Sequence, residues 1–194
     1  EWEDSKILKK QGKRMIDIKE HIRTVPDHPI PGIQFRDISG LIEHPEAFDQ
    51  TLTDLSDIAR AFGATKIVGI DSRGFVFGSP VARDLGLPFI MARKPGKLPG
   101  DVHSKEYELE YGKASLEIQT ISDIKGNDIV VVVDDLIATG GTAIAVCDII
   151  HNSYFVPKNN ILTLAVIDLP DLGGFDKIHE HGYHTSVLIE FKGE

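Results

Sequence analysis

VVVVDDLIATGGTA, residues 130–143, runs from four consecutive valines into Asp134 and Asp135 and then into the turn Thr139-Gly140-Gly141-Thr142. With Ile129 ahead of it, the run is apolar at every position instead of alternating, the pattern of a parallel strand covered on both faces. A buried strand needs no charges along its length, so the two acids are expected at its carboxyl end. TAIAVCDIIHNS, residues 142–153, reads as the helix that follows. In parallel sheets that end of a strand is where ligands sit, because the loops there lead into helix N-termini.

The segments around this stretch repeat its logic. KIVGI (66–70) is a short apolar strand, and DSRGFVFGSPVARDL (71–85) is a turn leading into a helix. LPFIMA (87–92), ILTLAVIDL (161–169) and TSVLIEF (185–191) are further strands. The interval from Ile129 to Ile161 suits one βαβ unit. Residues 46–62 place Phe48, Leu52, Leu55, Ile58, Ala59 and Phe62 three and four apart, which predicts an amphipathic helix. In YELEYGKASLEI (107–118), apolar and polar residues alternate on either side of Tyr111-Gly112-Lys113, predicting a two-stranded ribbon closed by a glycine turn. Strands alternating with helices predict an α/β fold with a mostly parallel central sheet flanked by helices, in a single domain over residues 22–194.

Residues 1–21 stand apart from that pattern. They begin without methionine, and EWEDSKILKKQGKRM reads either as an upstream extension with Met15 as the start, or as an amphipathic helix running on through IDIKEHIRTV. Pro26, Pro29, Pro31 and Gly32 then break any helix ahead of IQFRDISGLI.

Composition excludes several functions. A net charge of −9 argues against a nucleic-acid binder, because phosphate backbones demand a basic surface. No apolar run approaches the roughly 20 residues that span a bilayer. The single cysteine, Cys147, lies in an apolar context and reads as core, so a cytoplasmic protein is expected. His103, His151, His179, His181 and His184 show no metal-binding spacing and are expected to face solvent. Against the acidic background, residues 71–97 carry five cations and only two carboxylates, a basic stretch suited to a small anion.

The opening stretch offers two kinds of chemistry. A helix N-terminus has unpaired N–H groups, glycines let a ligand approach the backbone, and Thr139 and Thr142 add hydroxyl donors, which together form a phosphate cradle. Ionised Asp134 and Asp135 accept hydrogen bonds only, so they repel phosphate but hold a vicinal diol. A ribose 5-phosphate unit satisfies both halves. Neither G-x-x-x-x-G-K-[ST] nor G-x-G-x-x-G occurs, which removes the common nucleotide-loop alternatives.

An apolar strand, two acids and a T-G-G-T loop resemble the phosphoribosyl pyrophosphate signature of the type I phosphoribosyltransferases. PGIQFRDIS (31–39), GIDSRGFVFG (69–78), RKPGKLPG (93–100) and LEYGKASLEI (109–118) are similar to the members of that family that act on adenine. The similarity runs from about Ile22 to the C-terminus. It implies transfer of phosphoribosyl from phosphoribosyl pyrophosphate to adenine, giving AMP and pyrophosphate with Mg2+, in purine salvage by a homodimer. It places the 5-phosphate on Ala138, Thr139, Gly140, Gly141 and Thr142, with Asp134 and Asp135 at the ribose hydroxyls. Pyrophosphate is assigned to Asp71, Ser72 and Arg73 and, across a dimer interface, to Arg93, Lys94 and Lys97. Adenine is assigned between Phe35 and Leu136, its edge read by backbone around Gln34 and Arg36. Glu110, on a ribbon whose glutamates are otherwise solvated, matches a carboxylate near the purine, and Tyr111 is placed on the sugar-phosphate side. Asp134, Asp135, Arg73 and Glu110 are therefore the candidate catalytic residues, and residues 98–118 a candidate lid. The metal is expected on substrate phosphates and water instead of on direct protein ligands. The resemblance further implies a non-proline cis peptide between Asp71 and Ser72. Alternatives are a phosphoribosyltransferase for another purine base, or a phosphoribosyl pyrophosphate-sensing regulator, although no added DNA-binding domain is visible.

Overall fold

Val130 to Val133 are fully withdrawn from solvent, because the strand that carries them has a neighbour on each edge and an apolar layer on each face. The computed structural model describes residues 16–109 and 112–193. A single 3-10 turn (Ile18–His21) precedes β1 (Arg23–Pro26), β2 (Gln34–Asp37), α1 (Ser39–Glu43) and α2 (Pro45–Phe62). There follow β3 (Lys66–Ile70), α3 (Arg73–Leu85), β4 (Phe89–Ala92), β5 (Val102–Leu109) and β6 (Gly112–Gln119). The chain ends with β7 (Val130–Ile137), α4 (Gly141–Tyr154), β8 (Ile161–Asp168), α5 (Gly174–Glu180) and β9 (His184–Glu190).

Five strands form the central sheet in the order β4-β3-β7-β8-β9, and every pairing is parallel. Alternate side chains of β7 serve the two layers. Val130 and Val132 pack with Val146, Cys147 and Ile150 of α4, and Val131 and Val133 pack with Leu55 and Ile58 of α2 and Phe77 and Val81 of α3. The amphipathic helix forms where its periodicity predicts. Pro45 occupies its first turn, where a missing N–H costs nothing, and Nδ1 of His44 accepts from the Ala47 amide at 3.2 Å. From β3 the chain moves outward to β4, and from β7 it moves the other way to β8 and β9, so the order reverses between β3 and β7. That reversal opens a crevice beyond their carboxyl ends, the place where open α/β sheets bind ligands.

The N-terminal region departs from the helix alternative. The 3-10 turn stops at His21, and β1 then pairs antiparallel with β2, Thr24 opposite Arg36 and Val25 opposite Phe35. Two β-branched residues ahead of Pro26 favour extended backbone over helix. Ile18 and Ile22 are both buried in the layer that holds α2, so the folded body begins ahead of Ile22. Three histidines expected to face solvent are packed instead. His103 meets the Tyr154 ring edge-on at 5.1 Å, His184 meets Phe62 at 5.5 Å, and Nδ1 of His151 lies 2.8 Å from the Val156 carbonyl oxygen. His179 and His181 are exposed, and Cys147 is buried.

The ribbon is longer and better anchored than its alternation suggests. It starts at Val102, and Leu109 pairs with Gly112, so Gly112 is a strand residue; only positions 110 and 111, outside the described residues, separate the strands. Residues directly opposite in an antiparallel pair share a face. His103 opposite Ile118, Lys105 opposite Leu116 and Tyr107 opposite Ala114 therefore line the inner side. Leu116 and Ile118 are buried in the layer that holds α4. The Arg93 amide donates to the Glu117 carbonyl at 2.9 Å, and the Glu117 amide returns the bond at 2.7 Å. Lys105 Nζ reaches Asp148 of α4 at 3.1 Å. Replacing Ile118→Ala should accordingly cost about 2–5 kcal/mol in urea unfolding, as for any large buried aliphatic. A loss under about 0.5 kcal/mol, ordinary for a surface position, would show that the ribbon base is not part of the core.

Candidate active site

Two strand ends and one helix start build the centre of the crevice. β3 delivers Asp71 and Ser72, whose peptide bond is cis as the resemblance implies, and α3 begins at Arg73. β7 does not end at its acids: it continues through Ile137, with Leu136 paired to Ile167 and Ile137 to Asp168 of β8. Asp134 and Asp135 thus belong to a paired strand, and Asp135 is only 3% exposed. Arg73 Nε lies 3.0 Å from Oδ2 of Asp135, and the same guanidinium stands 5.3 Å from the centre of the Phe35 ring. The start of α3 can approach so closely because residue 74 is glycine. A Cβ there would come 2.5 Å from the Val133 carbonyl oxygen and 3.2 Å from Asp134 Oδ1.

Beyond the acids lies a cleft of about 590 Å³. Asp71, Ser72 and Arg73 line one side; Asp134 to Gly140, Thr142 and Ala143 line the other, with Lys94, Tyr107 and Ala114 closing it. Gly140 precedes α4 in the left-handed region at φ 78°, so the leading amides of a 14-residue helix face the cleft. Gly174, at the start of α5, supports this loop from behind. A Cβ on it would overlap the Ala138 carbonyl oxygen at 2.1 Å and the Gly140 nitrogen at 2.7 Å.

The structure brings together most, not all, of the residues that the sequence assigns. Ala138, Thr139, Gly140 and Thr142 line the cleft with both acids, and Gly141 opens α4 beside them. Arg93 and Lys94 follow β4, which pairs with β3 so that Ala92 lies opposite Ile70; residues 93–94 therefore stand beside 71–73 of the same chain. Lys94 enters the cleft, Arg93 Nε pairs with Asp71 at 3.1 Å, and Lys97 is exposed and meets this group through its backbone, its carbonyl 3.5 Å from Arg93 Nη1 and its amide donating to the Lys94 carbonyl at 3.3 Å. Leu136 is in the lining and Phe35 adjoins it through Arg73. Gln34 is half-buried on the same strand. The Arg36 side chain turns elsewhere, donating to Thr24 Oγ1 at 2.6 Å and stacking over Phe191 at 4.7 Å. Glu110 and Tyr111 lie outside the described residues. Sequence reasoning missed Tyr107, Ala114 and Gly174. The alternation that buries Leu116 and Ile118 does mark Ala114 as inward-facing, whereas nothing local marks Gly174.

The acid pair is electrostatically costly. Burial, and after it the charge of Asp135, pushes the Asp134 carboxyl well above the usual carboxylate range. Burial also raises Asp135, against the pull of the Arg73 cation. The Asp135 amide donates to Asp134 Oδ1 at 2.9 Å. Both carboxyls therefore take up a proton at a higher pH than they would if exposed. Among the described residues no three carboxylate, imidazole or thiol groups converge as a metal cage.

The crevice at the sheet reversal thus brings a helix N-terminus and an acid pair together on one cleft. Residues 49–168 match the phosphoribosyl transferase domain. The chain is 46% identical over 181 residues to the adenine phosphoribosyltransferase of Actinobacillus succinogenes, covering 93% of this chain and 98% of that one. It is 44% identical over 184 residues to that of Yersinia pestis, covering 95% and 96%. Its fold matches the Giardia lamblia enzyme complexed with 9-deazaadenine, with a TM-score of 0.85 and 34% identity over 90% of this chain and 96% of that one. It also matches the Saccharomyces cerevisiae enzyme complexed with adenine and an imino-altritol bisphosphate, with a TM-score of 0.75 and 32% identity over 89% and 95%. The chain belongs to the adenine phosphoribosyltransferase family.

The raised Asp134 pKa has a consequence for stability. A carboxyl raised in the folded state contributes stability that is fully present below its unfolded value, near 3.9, and lost as pH rises through the folded value. Asp134→Asn has no proton to lose. Its melting temperature relative to the unaltered chain should therefore climb as pH is raised from about 4 to 8, measured by thermal unfolding without substrate. A difference that stays constant with pH would mean that Asp134 titrates normally.

Proposed function

We propose that this chain transfers the 5-phosphoribosyl group of phosphoribosyl pyrophosphate to adenine, forming AMP and releasing pyrophosphate in purine salvage. One observation carries the reading: a single cleft presents a helix start, an acid pair of which Asp135 is buried and Asp134 half-buried, and a cationic turn, with Arg73 joining the acids to the Phe35 ring. The adenine and 9-deazaadenine held by the yeast and Giardia enzymes support the assignment of the base.

In the reaction the bond from C1 to the pyrophosphate oxygen breaks and a bond from C1 to N9 of adenine forms. Charge separates: the ribose gains cationic character and the leaving group gains negative charge. Asp134 and Asp135, ionised once substrate is bound, stabilise the first, and Asp135, withdrawn from water, acts with little screening. Lys94, Arg73 and the turn at Asp71 and Ser72 take the second. The α4 amides and the hydroxyls of Thr139 and Thr142 hold the 5-phosphate and fix C1 between base and leaving group.

Asp71 and Asp134, which line the cleft, would hold through water a magnesium ion carried by the pyrophosphate, and the ion would offset the charge of the departing group. The anchoring of Leu116, Ile118 and Lys105 confines the lid movement assigned to 98–118 to the part of the ribbon beyond them. Adenine sheds a proton as the bond to N9 forms; Glu110 as its acceptor, and the place of Tyr111 near the sugar phosphate, rest on the resemblance. A homodimer belongs to the same reading, supported by Met91, 41% exposed on edge strand β4. A cytoplasmic setting is supported by the one buried, reduced cysteine.

The test is an assay of adenine, hypoxanthine, guanine and uracil with phosphoribosyl pyrophosphate and magnesium. Adenine has an exocyclic N–H donor beside the N1 acceptor, and hypoxanthine reverses both polarities. Backbone groups near Gln34 and Arg36 that read this edge would be left mismatched, so adenine should be preferred by about 100-fold or more in kcat/KM. Comparable use of hypoxanthine would overturn the assignment of the base.

A further inference from the structure

Phe35 belongs to a two-stranded sheet that forms no hydrogen-bonded ladder with the central one. Ile22 and Ile38, which flank that sheet in the chain, are buried against the main body, and the C-terminal segment adds a second hold. Two cations converge on the ring of Phe191: Arg36 at 4.7 Å from its centre and Lys19 at 4.5 Å. Lys19 Nζ also donates to the Glu190 carbonyl at 2.6 Å. Phe191 is 8% exposed, and it is itself tied to the central sheet by its amide, which donates to the Asp168 carbonyl at 3.0 Å. Two residues on, the Gly193 amide donates to Asp171 Oδ2 at 2.7 Å. The last residues of the described chain thus form a strap from the end of β8 to the region that carries Phe35.

The strap has a directional effect. Successive side chains of a strand point to opposite faces, so a β2 whose Arg36 is held on Phe191 presents Phe35 the other way, towards Arg73. Arg36 is 7% exposed and its second anchor, Thr24 Oγ1, lies on β1, within the same small sheet. Of these two contacts, only the one with Phe191 ties Arg36 to the main body. We propose that Phe191 is a positioning residue of the base pocket: through Arg36 and Lys19 it sets where Phe35 and the backbone of β2 stand against the cleft. The inference rests on the reading that Phe35 receives the base.

The test compares steady-state kinetics of Phe191→Leu, Phe191→Tyr and Phe35→Ala with the unaltered chain, beside thermal unfolding of each. Leucine keeps an apolar side chain but offers no π face to the cations; tyrosine keeps that face. Phe191→Leu should raise KM for adenine about 3- to 10-fold while KM for phosphoribosyl pyrophosphate stays within about twofold, and Phe191→Tyr should restore the adenine value. A merely structural role would lower the melting temperature and the active fraction with both KM values unchanged. If Phe35→Ala raises KM for adenine and Phe191→Leu does not, the strap is refuted and the base pocket stands. If Phe35→Ala leaves that KM unchanged, the base pocket has been misplaced and the strap's role falls with it. Should Phe191→Leu fail to fold, Lys19→Met removes one of the two cations from an exposed position. It should shift KM for adenine in the same direction, and no shift there would also refute the strap.

Discussion

Asp135 is nearly withdrawn from water, and the Arg73 guanidinium 3.0 Å away offsets part of what that burial costs. The arrangement of the site follows from this pair. A carboxylate in a paired strand cannot move to solvent, so the cation must come to it, and Arg73 can do so only if α3 begins where β3 ends. Gly74 permits the approach, since any side chain there would collide with the Val133 carbonyl. With α3 fixed, the turn at Asp71 and Ser72 is fixed too. The parallel register of β3 and β4 then brings Arg93 and Lys94 alongside.

Such a constellation is a poor way to stabilise a protein. Replacing buried ions by well-packed apolar groups is often neutral or favourable, whereas removing one partner leaves an uncompensated charge. Asp134 makes the cost plain, because burial and the Asp135 charge act in the same direction on it. The surroundings offset that cost with mostly apolar strands: β3, β8 and the first half of β7 are buried at every position. The sheet therefore holds two acids, one of them nearly withdrawn from water, where the proposed reaction would develop positive charge.

What could be read from the sequence divides along physical lines. β3 spans the same residues as KIVGI, and 46–62 form the helix that their spacing predicts, because burial on one face or two imposes a local period. The loop that opens α4 was legible because a helix N-terminus at a strand's end is a local feature. The reach of β7 through Ile137 was not, since only its pairing with β8 keeps two carboxylates inside a strand. Tyr107 enters the cleft by the hairpin register, Gly174 supports the loop from more than 30 residues away, and Arg93 meets Asp71 of its own chain through sheet pairing. Each is a long-range contact, and no local pattern encodes it. The 3-10 turn at Ile18–His21 falls in the same class: local propensity allowed a helix, and pairing of β1 with β2 decided against it.

The central claim is that the acid pair serves the reaction and not the fold. The most direct measurement is turnover of adenine to AMP by the double variant Asp134→Asn, Asp135→Asn, with thermal unfolding as control. Asparagine keeps the size and removes the charge, so kcat should fall by about 100- to 1,000-fold, the range for losing a preorganised electrostatic group, while the protein remains folded. A folded double variant that keeps kcat within about threefold of the unaltered chain would contradict the account.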